Sequence, residues 1–118
     1  MSYTSFDYSD LHLSALTPRS FEVSFKVRNT GKYDGEEVAQ LYLRDEYASV
    51  VQPLKQLKHF ERFCLKRGEV KEVKFVLSES DFTIIDRNLK TVVESGTFQV
   101  MVGAASDDIR LQAKVVVK

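Results

Sequence analysis

Alternation of apolar and polar residues with a period of two is the feature that most constrains this chain. Residues 21–27 alternate without a break, residues 70–77 alternate again, and residues 109–117 place five apolar side chains on one side. This pattern is typical of β-strands with one buried face. Because no stretch keeps a 3.6-residue period, the sequence predicts an all-β fold.

Turn signals separate about eight such segments. Residues 29–35 contain one Asn, one Asp and two Gly, Gly68 lies in a short polar connection, and residues 78–81 predict a capped helical turn. Turns recur roughly every 8–12 residues, as in antiparallel sandwiches. We therefore predict an immunoglobulin-like (fibronectin type III-like) antiparallel β-sandwich of seven to eight strands.

The alternation also predicts which side chains form the core. We expect the inward positions of the long strands to be buried against one another, because each strand has one apolar face. The predicted core contains Phe21, Val23, Phe25, Val27, Leu41, Phe63, Val73, Phe75, Leu77, Phe98, Val100, Val102, Leu111 and Val115.

Length, charge and composition narrow the classes of function. The 118 residues are the size of one domain, which we assign to residues 1–118. Seventeen basic residues balance seventeen acidic ones, so the chain lacks the basic excess of a nucleic-acid binder. No apolar run approaches the roughly 20 residues of a membrane span. One cysteine and two histidines provide few ligands, and we predict no metal site and no cofactor.

Adjacent carboxylates are the first candidates for catalysis, because acid–base chemistry often uses a pair of them. Glu36 and Glu37 are neighbours, as are Asp107 and Asp108. Neighbouring side chains in an extended chain point to opposite faces, so neither pair is expected to share a substrate. We predict no catalytic residue in this chain.

Cys64 and His59 are the second candidates, as a nucleophile and its base. A separation of five places them on opposite faces of a strand, so a thiol–imidazole pair is not expected. We predict that Cys64 is buried or half-buried and inert, and that His59 is a surface residue of its strand.

The loop between the third and fourth predicted strands is unusually apolar. Such a loop either folds back over a sheet edge or forms a docking patch, since exposed apolar clusters mark interfaces. The preceding segment, residues 37–43, is apolar on both faces, which predicts a central strand that needs cover on its second face. The candidate interdomain docking residues are Tyr47, Val50, Val51, Pro53 and Leu54.

Exposed aromatic side chains could instead bind sugar rings. The positions of Tyr33, Tyr42 and Tyr47 leave their exposure open, whereas the chain contains no Trp. An independent carbohydrate-binding module, or an adhesion module, therefore stays as the alternative function.

Three segments resemble a known family in the same order: residues 2–11, residues 27–43 and residues 48–62. Residues 68–69, 77–78, 96–103 and 108–111 extend the resemblance along nearly the whole chain. Together they resemble the C-terminal fibronectin type III-like domain of family 3 glycoside hydrolases, the β-glucosidases and β-xylosidases. His59 stands where this family usually has Gly, and Arg67 and Ser95 stand where it usually has Pro.

The resemblance implies that the catalytic Asp nucleophile and the acid/base lie in upstream domains, a (β/α)-barrel and an α/β sandwich. It implies a non-catalytic accessory domain, excised from the C-terminus of a larger glycosidase, that packs on and stabilises those domains. The upstream catalytic domains of the same polypeptide are then its partners, and carbohydrate contact is expected only in the full enzyme. Residues 47–54 correspond to a family segment that can approach the active-site entrance. For the parent, a periplasmic or secreted location is favoured over a cytoplasmic one.

Overall fold

The computed structural model describes residues 4–45, 56–85, 91–93 and 96–117. Seven long strands account for most of them, and a 3₁₀ turn (Glu79–Phe82) leads into a small hairpin of β6 (Thr83–Ile85) and β7 (Thr91–Val93). The long strands are β1 (Phe6–Thr17), β2 (Ser20–Asn29), β3 (Gly35–Asp45), β4 (Gln56–Leu65), β5 (Val70–Leu77), β8 (Gly96–Ala105) and β9 (Asp108–Val117). No helix in these ranges has the length and apolarity that crossing a membrane requires.

The long strands form two antiparallel sheets. One has three strands in the order β1-β2-β5, and the other has four in the order β4-β3-β8-β9. The predicted fibronectin type III-like sandwich is therefore confirmed. Because β3 lies between β4 and β8, the prediction of a central strand at residues 37–43 is also confirmed.

The core lies between the two sheets and contains the predicted residues. Twelve of them are buried in one cluster, and Phe63 and Leu111 are partly buried against it. Phe25 is at its centre, with ring centroids 5.8 Å from Tyr8 and 6.0 Å from Phe75. The cluster also contains residues outside the predicted set, namely Phe6, Tyr8, Ala39, Leu43, Leu65, Phe82 and Val117.

Phe82, at the end of the 3₁₀ turn, fills one end of the sandwich. Its ring meets Phe21 of β2 at 5.9 Å and Phe98 of β8 at 4.9 Å, both edge-on. It therefore joins the two sheets. The turn is at the predicted position, and the Asp81 carboxylate accepts a hydrogen bond from the Ser78 N–H at 2.9 Å.

Asn29 occupies the other end of the core and is almost fully buried. Its amide Nδ2 donates to the carbonyls of Tyr33 (2.8 Å) and Leu65 (3.1 Å). Its Oδ1 accepts from the hydroxyl of Thr4 (2.7 Å) and the N–H of Gly31 (3.0 Å). All four hydrogen-bonding positions of the side chain are filled, so one residue links the entry to β1, the turn after β2 and the end of β4.

Candidate functional site

The predicted docking residues fall in one segment between β3 and β4. Tyr47, Val50, Val51, Pro53 and Leu54 lie outside the described residues, so their role stays a prediction. The strands on either side are described: Leu43 of β3 pairs with Gln56 of β4. The segment therefore leaves and re-enters the four-stranded sheet at one end of this strand pair.

The carboxylates of the first acidic pair point in different directions. Glu36 is ion-paired with Arg62 of β4 at 3.3 Å, whereas Glu37 accepts a hydrogen bond from the Tyr8 hydroxyl at 3.1 Å. The prediction that these neighbours face opposite ways is confirmed for Glu36 and Glu37. They do not form the two-carboxylate arrangement that glycoside hydrolysis requires.

Tyr8, Glu37, Asp108 and Arg110 form a polar network at the edge where β1 and β9 meet. Arg110 binds both carboxylate oxygens of Asp108 (2.6 and 3.1 Å), donates to the Phe6 carbonyl (3.0 Å) and lies 5.7 Å from the Tyr8 ring centroid. Burial raises the pKa of the Tyr8 hydroxyl far above its usual range and also raises the pKa of the Glu37 carboxyl. The hydrogen bond from Arg110 lowers the pKa of Asp108. The network ties the two sheets together along this edge.

His59 and Cys64 are on opposite faces of β4, as predicted. His59 faces the core: its ring stacks on Phe75 (5.7 Å between centroids) and its Nε2 is 3.3 Å from Asp81 Oδ2. The expectation of a surface histidine holds only in part: the side chain keeps 33% of its exposure, but the imidazole leans inward from an edge strand and contacts Phe75 and Asp81. The expectation of a buried cysteine is wrong: Cys64 is exposed, since it lies on the outer face of an edge strand.

Metal ligands do not converge in the described parts of the chain. No group of three or more His, Cys, Asp or Glu side chains within those ranges is placed to hold a metal ion. The His59–Asp81 contact is explained by its position between β4 and the 3₁₀ turn, where it closes the second edge of the sandwich together with the Lys71–Glu61 ion pair (3.2 Å).

The tyrosines that could bind sugars differ in accessibility. Tyr33, in the turn after β2, is 63% exposed. Tyr42 is buried and its hydroxyl donates to Gln40, so it offers no stacking surface. Tyr47 lies outside the described residues.

The outer faces of the two sheets differ in chemistry. Outward positions of the three-stranded sheet carry ion pairs such as Lys26–Asp10 (3.5 Å) and Lys74–Glu72 (3.3 Å). The outward positions of the four-stranded sheet include the Glu36–Arg62 ion pair (3.3 Å) and, farther along the strands, a group of large apolar side chains. We call this group the apolar outer face; its register positions are Leu57 and Phe60, which are exposed, and Tyr42 and Met101, which are buried. The apolar residues on both faces of β3 predicted cover for its second face, but the sequence pattern did not indicate Leu57 and Phe60.

A family model described as "Fibronectin type III-like domain" matches residues 37–106, from β3 to the end of β8. The chain belongs to this family. Known relatives of the domain are glycosidases. It is 47% identical to a β-xylosidase of Formosa agariphila, over 93% of the chain and 16% of that protein. It is 45% identical to a β-glucosidase of Bacteroides ovatus, over 93% of the chain and 15% of that protein.

Solved structures agree with the fold and with this family. The domain matches the crystal structure of a family 3 glycoside hydrolase, the β-glucosidase of Bifidobacterium adolescentis, with a TM-score of 0.93 and 31% identity. That match covers 99% of the domain and 18% of the enzyme chain. The domain thus spans about one sixth of the proteins that it resembles.

Proposed function

We propose that this domain is a non-catalytic accessory part of a family 3 glycoside hydrolase, a β-glucosidase or β-xylosidase, and that it packs on and stabilises the catalytic domains of the same polypeptide. One observation carries the proposal. The domain aligns over nearly its whole length with β-glycosidases, yet it accounts for only 15–16% of the two relatives described above. About five sixths of each relative lies outside this domain, and that part is large enough to contain the catalytic centre.

The chemistry of the described residues supports a non-catalytic role. Glycosidases use two carboxyl groups on either side of the scissile bond. In this domain Glu37 and Asp108 instead interact with Tyr8 and Arg110, and Glu36 interacts with Arg62. Glu36 and Glu37 each connect two strands, and Asp108 binds the Arg110 side chain, which itself donates to the Phe6 carbonyl of β1. All three carboxylates thus have a structural use.

The test compares three proteins: the isolated chain, the full-length polypeptide from its gene, and that polypeptide without residues 4–117. We expect hydrolysis of aryl β-glucosides or β-xylosides by the full-length protein only, and a lower thermal midpoint after the deletion. Turnover by the isolated chain would refute the proposal. So would a deletion that leaves both activity and thermal midpoint unchanged.

One observation favours a second candidate, a carbohydrate-binding module: Tyr33 is strongly exposed. Aromatic rings at a surface can pack against the apolar face of a sugar. Titration of the isolated chain with cellobiose and xylobiose tests this candidate. Saturable binding that is lost in Tyr33→Ala would favour it, whereas absence of binding would leave the accessory role.

A further inference from the structure

The two outer surfaces of the sandwich differ in how their exposed apolar side chains are arranged. On the three-stranded sheet, Val70 (50% exposed) and Val76 (49% exposed) are separated along β5 by Glu72 and Lys74, which form an ion pair. On the four-stranded sheet, Phe60 is 67% exposed and Leu57 is 48% exposed, on the same edge strand. Exposed apolar residues that adjoin one another mark a contact surface rather than a solvent face.

A β-bulge brings Leu57 and Phe60 to the same face. Residues three apart in a regular strand point to opposite sides. Here the register passes from Leu41–His59 directly to Tyr42–Leu57, so Lys58 is an extra residue in β4. Leu57 therefore returns to the outer face next to Tyr42, and Phe60 lies there opposite Gln40. Bulges commonly re-aim side chains at functional edges.

We propose that the apolar outer face, centred on Leu57 and Phe60, is the surface on which this domain packs against the rest of its own glycosidase polypeptide. The inference rests on the proposed function and adds to it the face that makes the contact. The occupant is an apolar surface of the catalytic part, not a second copy of the chain.

Two further observations identify this occupant. Relatives of this domain contain about five times its length in additional chain, so a large partner is covalently attached in those proteins. The predicted docking segment, residues 47–54, also connects β3 to β4, the two strands that carry Tyr42, Leu57 and Phe60. The predicted docking segment and the apolar outer face are thus adjacent in the sequence.

The size of the four-stranded sheet fits an interdomain contact. Its outer side, with strands about 4.8 Å apart and about ten residues long, presents roughly 600 Å², which includes the apolar outer face and polar positions such as Glu36 and Arg62. Counting both partners doubles this area, which falls within the usual 600–1,500 Å² for interfaces between domains of one chain.

Cysteine labelling tests the assignment with a matched pair of probes. In a Cys64→Ser background, Phe60→Cys probes the apolar outer face, and Val76→Cys, at a position 49% exposed on β5, probes the opposite sheet. Each is labelled with a maleimide in the isolated chain and in the full-length polypeptide, and the modified peptides are resolved by mass spectrometry. We expect Phe60→Cys to react at least tenfold more slowly in the full-length protein and Val76→Cys to change less than twofold.

Each other outcome overturns the assignment. Equal reactivity of Phe60→Cys in both proteins would mean that the face stays in solvent, and slowing of Val76→Cys alone would place the contact on the three-stranded sheet. Protection of Phe60→Cys in the isolated chain that grows with concentration would identify a second copy as the occupant. If the deletion of residues 4–117 inactivates the enzyme while Phe60→Cys stays reactive, only the surface is wrong. If the gene encodes no glycosidase, the proposed function and this surface both fail.

Discussion

Asn29 is a buried polar residue whose side chain has no spare hydrogen-bonding capacity. It bonds the carbonyls of Tyr33 and Leu65, the Gly31 N–H and the Thr4 hydroxyl. The sequence alone indicates only that Asn29 begins a cluster of turn residues. Its contact with Leu65 joins residues 36 apart in sequence, and a local pattern contains no information about such a contact.

Asn29→Ala tests this role. We expect a loss of about 2–3 kcal/mol of unfolding free energy, because the substitution leaves buried backbone groups without partners. Urea denaturation followed by circular dichroism measures it. Lys32→Ala, at an exposed position of the same turn, is the control and should change stability by less than about 0.5 kcal/mol. A loss no larger than that of the control would contradict the role assigned to Asn29.

Glu37 makes a prediction about pH. Burial raises its pKa in the folded state, so the folded protein holds this proton more tightly than the unfolded chain does. Stability contributed at this site is then present at acidic pH and decreases as pH rises from the ordinary carboxyl value of 4.5 through the raised value. Glu37→Gln removes this titration, while its amide oxygen can still accept from Tyr8.

The difference in unfolding free energy, Glu37→Gln minus wild type, should therefore become more positive between pH 4 and pH 7. Urea titrations at several pH values measure it. Glu36→Gln, which removes the neighbouring carboxylate on the exposed outer face, serves as the control for loss of a charge. A difference that falls with rising pH would show that the ionised carboxylate of Glu37 stabilises the fold.

His59 illustrates where a resemblance misleads at the residue scale. The family usually has Gly at this position, and the sequence predicted a histidine at the surface of its strand. In the structure the imidazole stacks on Phe75 and meets Asp81, which are 16 and 22 residues away. A residue that departs from a family pattern can thus make contacts of its own, and only the packing of β4 against β5 and the 3₁₀ turn reveals them.

At the scale of elements, β2 is the central strand of the three-stranded sheet, and Phe25 is its most enclosed aromatic residue in the core. We expect Phe25→Ala to reduce the unfolding free energy by about 3–5 kcal/mol, because it leaves a cavity between Tyr8 and Phe75. Chemical denaturation measures the loss. Val76→Ala on the outer face of β5 should cost less than about 1 kcal/mol. Similar losses for both variants would mean that the core lies elsewhere.

Strands and turns could be predicted from the sequence because the apolar–polar alternation and the turn residues indicate the same boundaries. Residues 21–27, with Phe21, Val23, Phe25 and Val27 inward, form the middle of β2, and Gly68 adopts the positive φ expected of its turn. The bulge at Lys58 was not readable. A single extra residue interrupts the alternation, and residues 57–60 alone do not show which residue is extra. Leu57 and Phe60 were consequently not predicted to share a face.

At the scale of the whole molecule, the sequence predicted one sandwich with a central strand apolar on both sides, and both predictions are confirmed. The asymmetry between the sheets was only partly foreseen. One cause is that ion pairs such as Lys26–Asp10, which joins β2 to β1, become visible only when strands are placed side by side. Docking by residues 47–54 stays a prediction. The apolar outer face lies on β3 and β4, the two strands that this segment connects.

The contact between Arg110 and the Phe6 carbonyl has a mechanical consequence. It places the beginnings of β1 and β9 side by side at one pole, and both strands then run toward the other pole, about 33 Å away for ten residues. The start of β1 and the end of β9 are therefore at opposite poles. Tension between these two points would load the β1–β2 and β8–β9 ladders in shear, with many hydrogen bonds strained together, so the domain would resist stretching along its long axis.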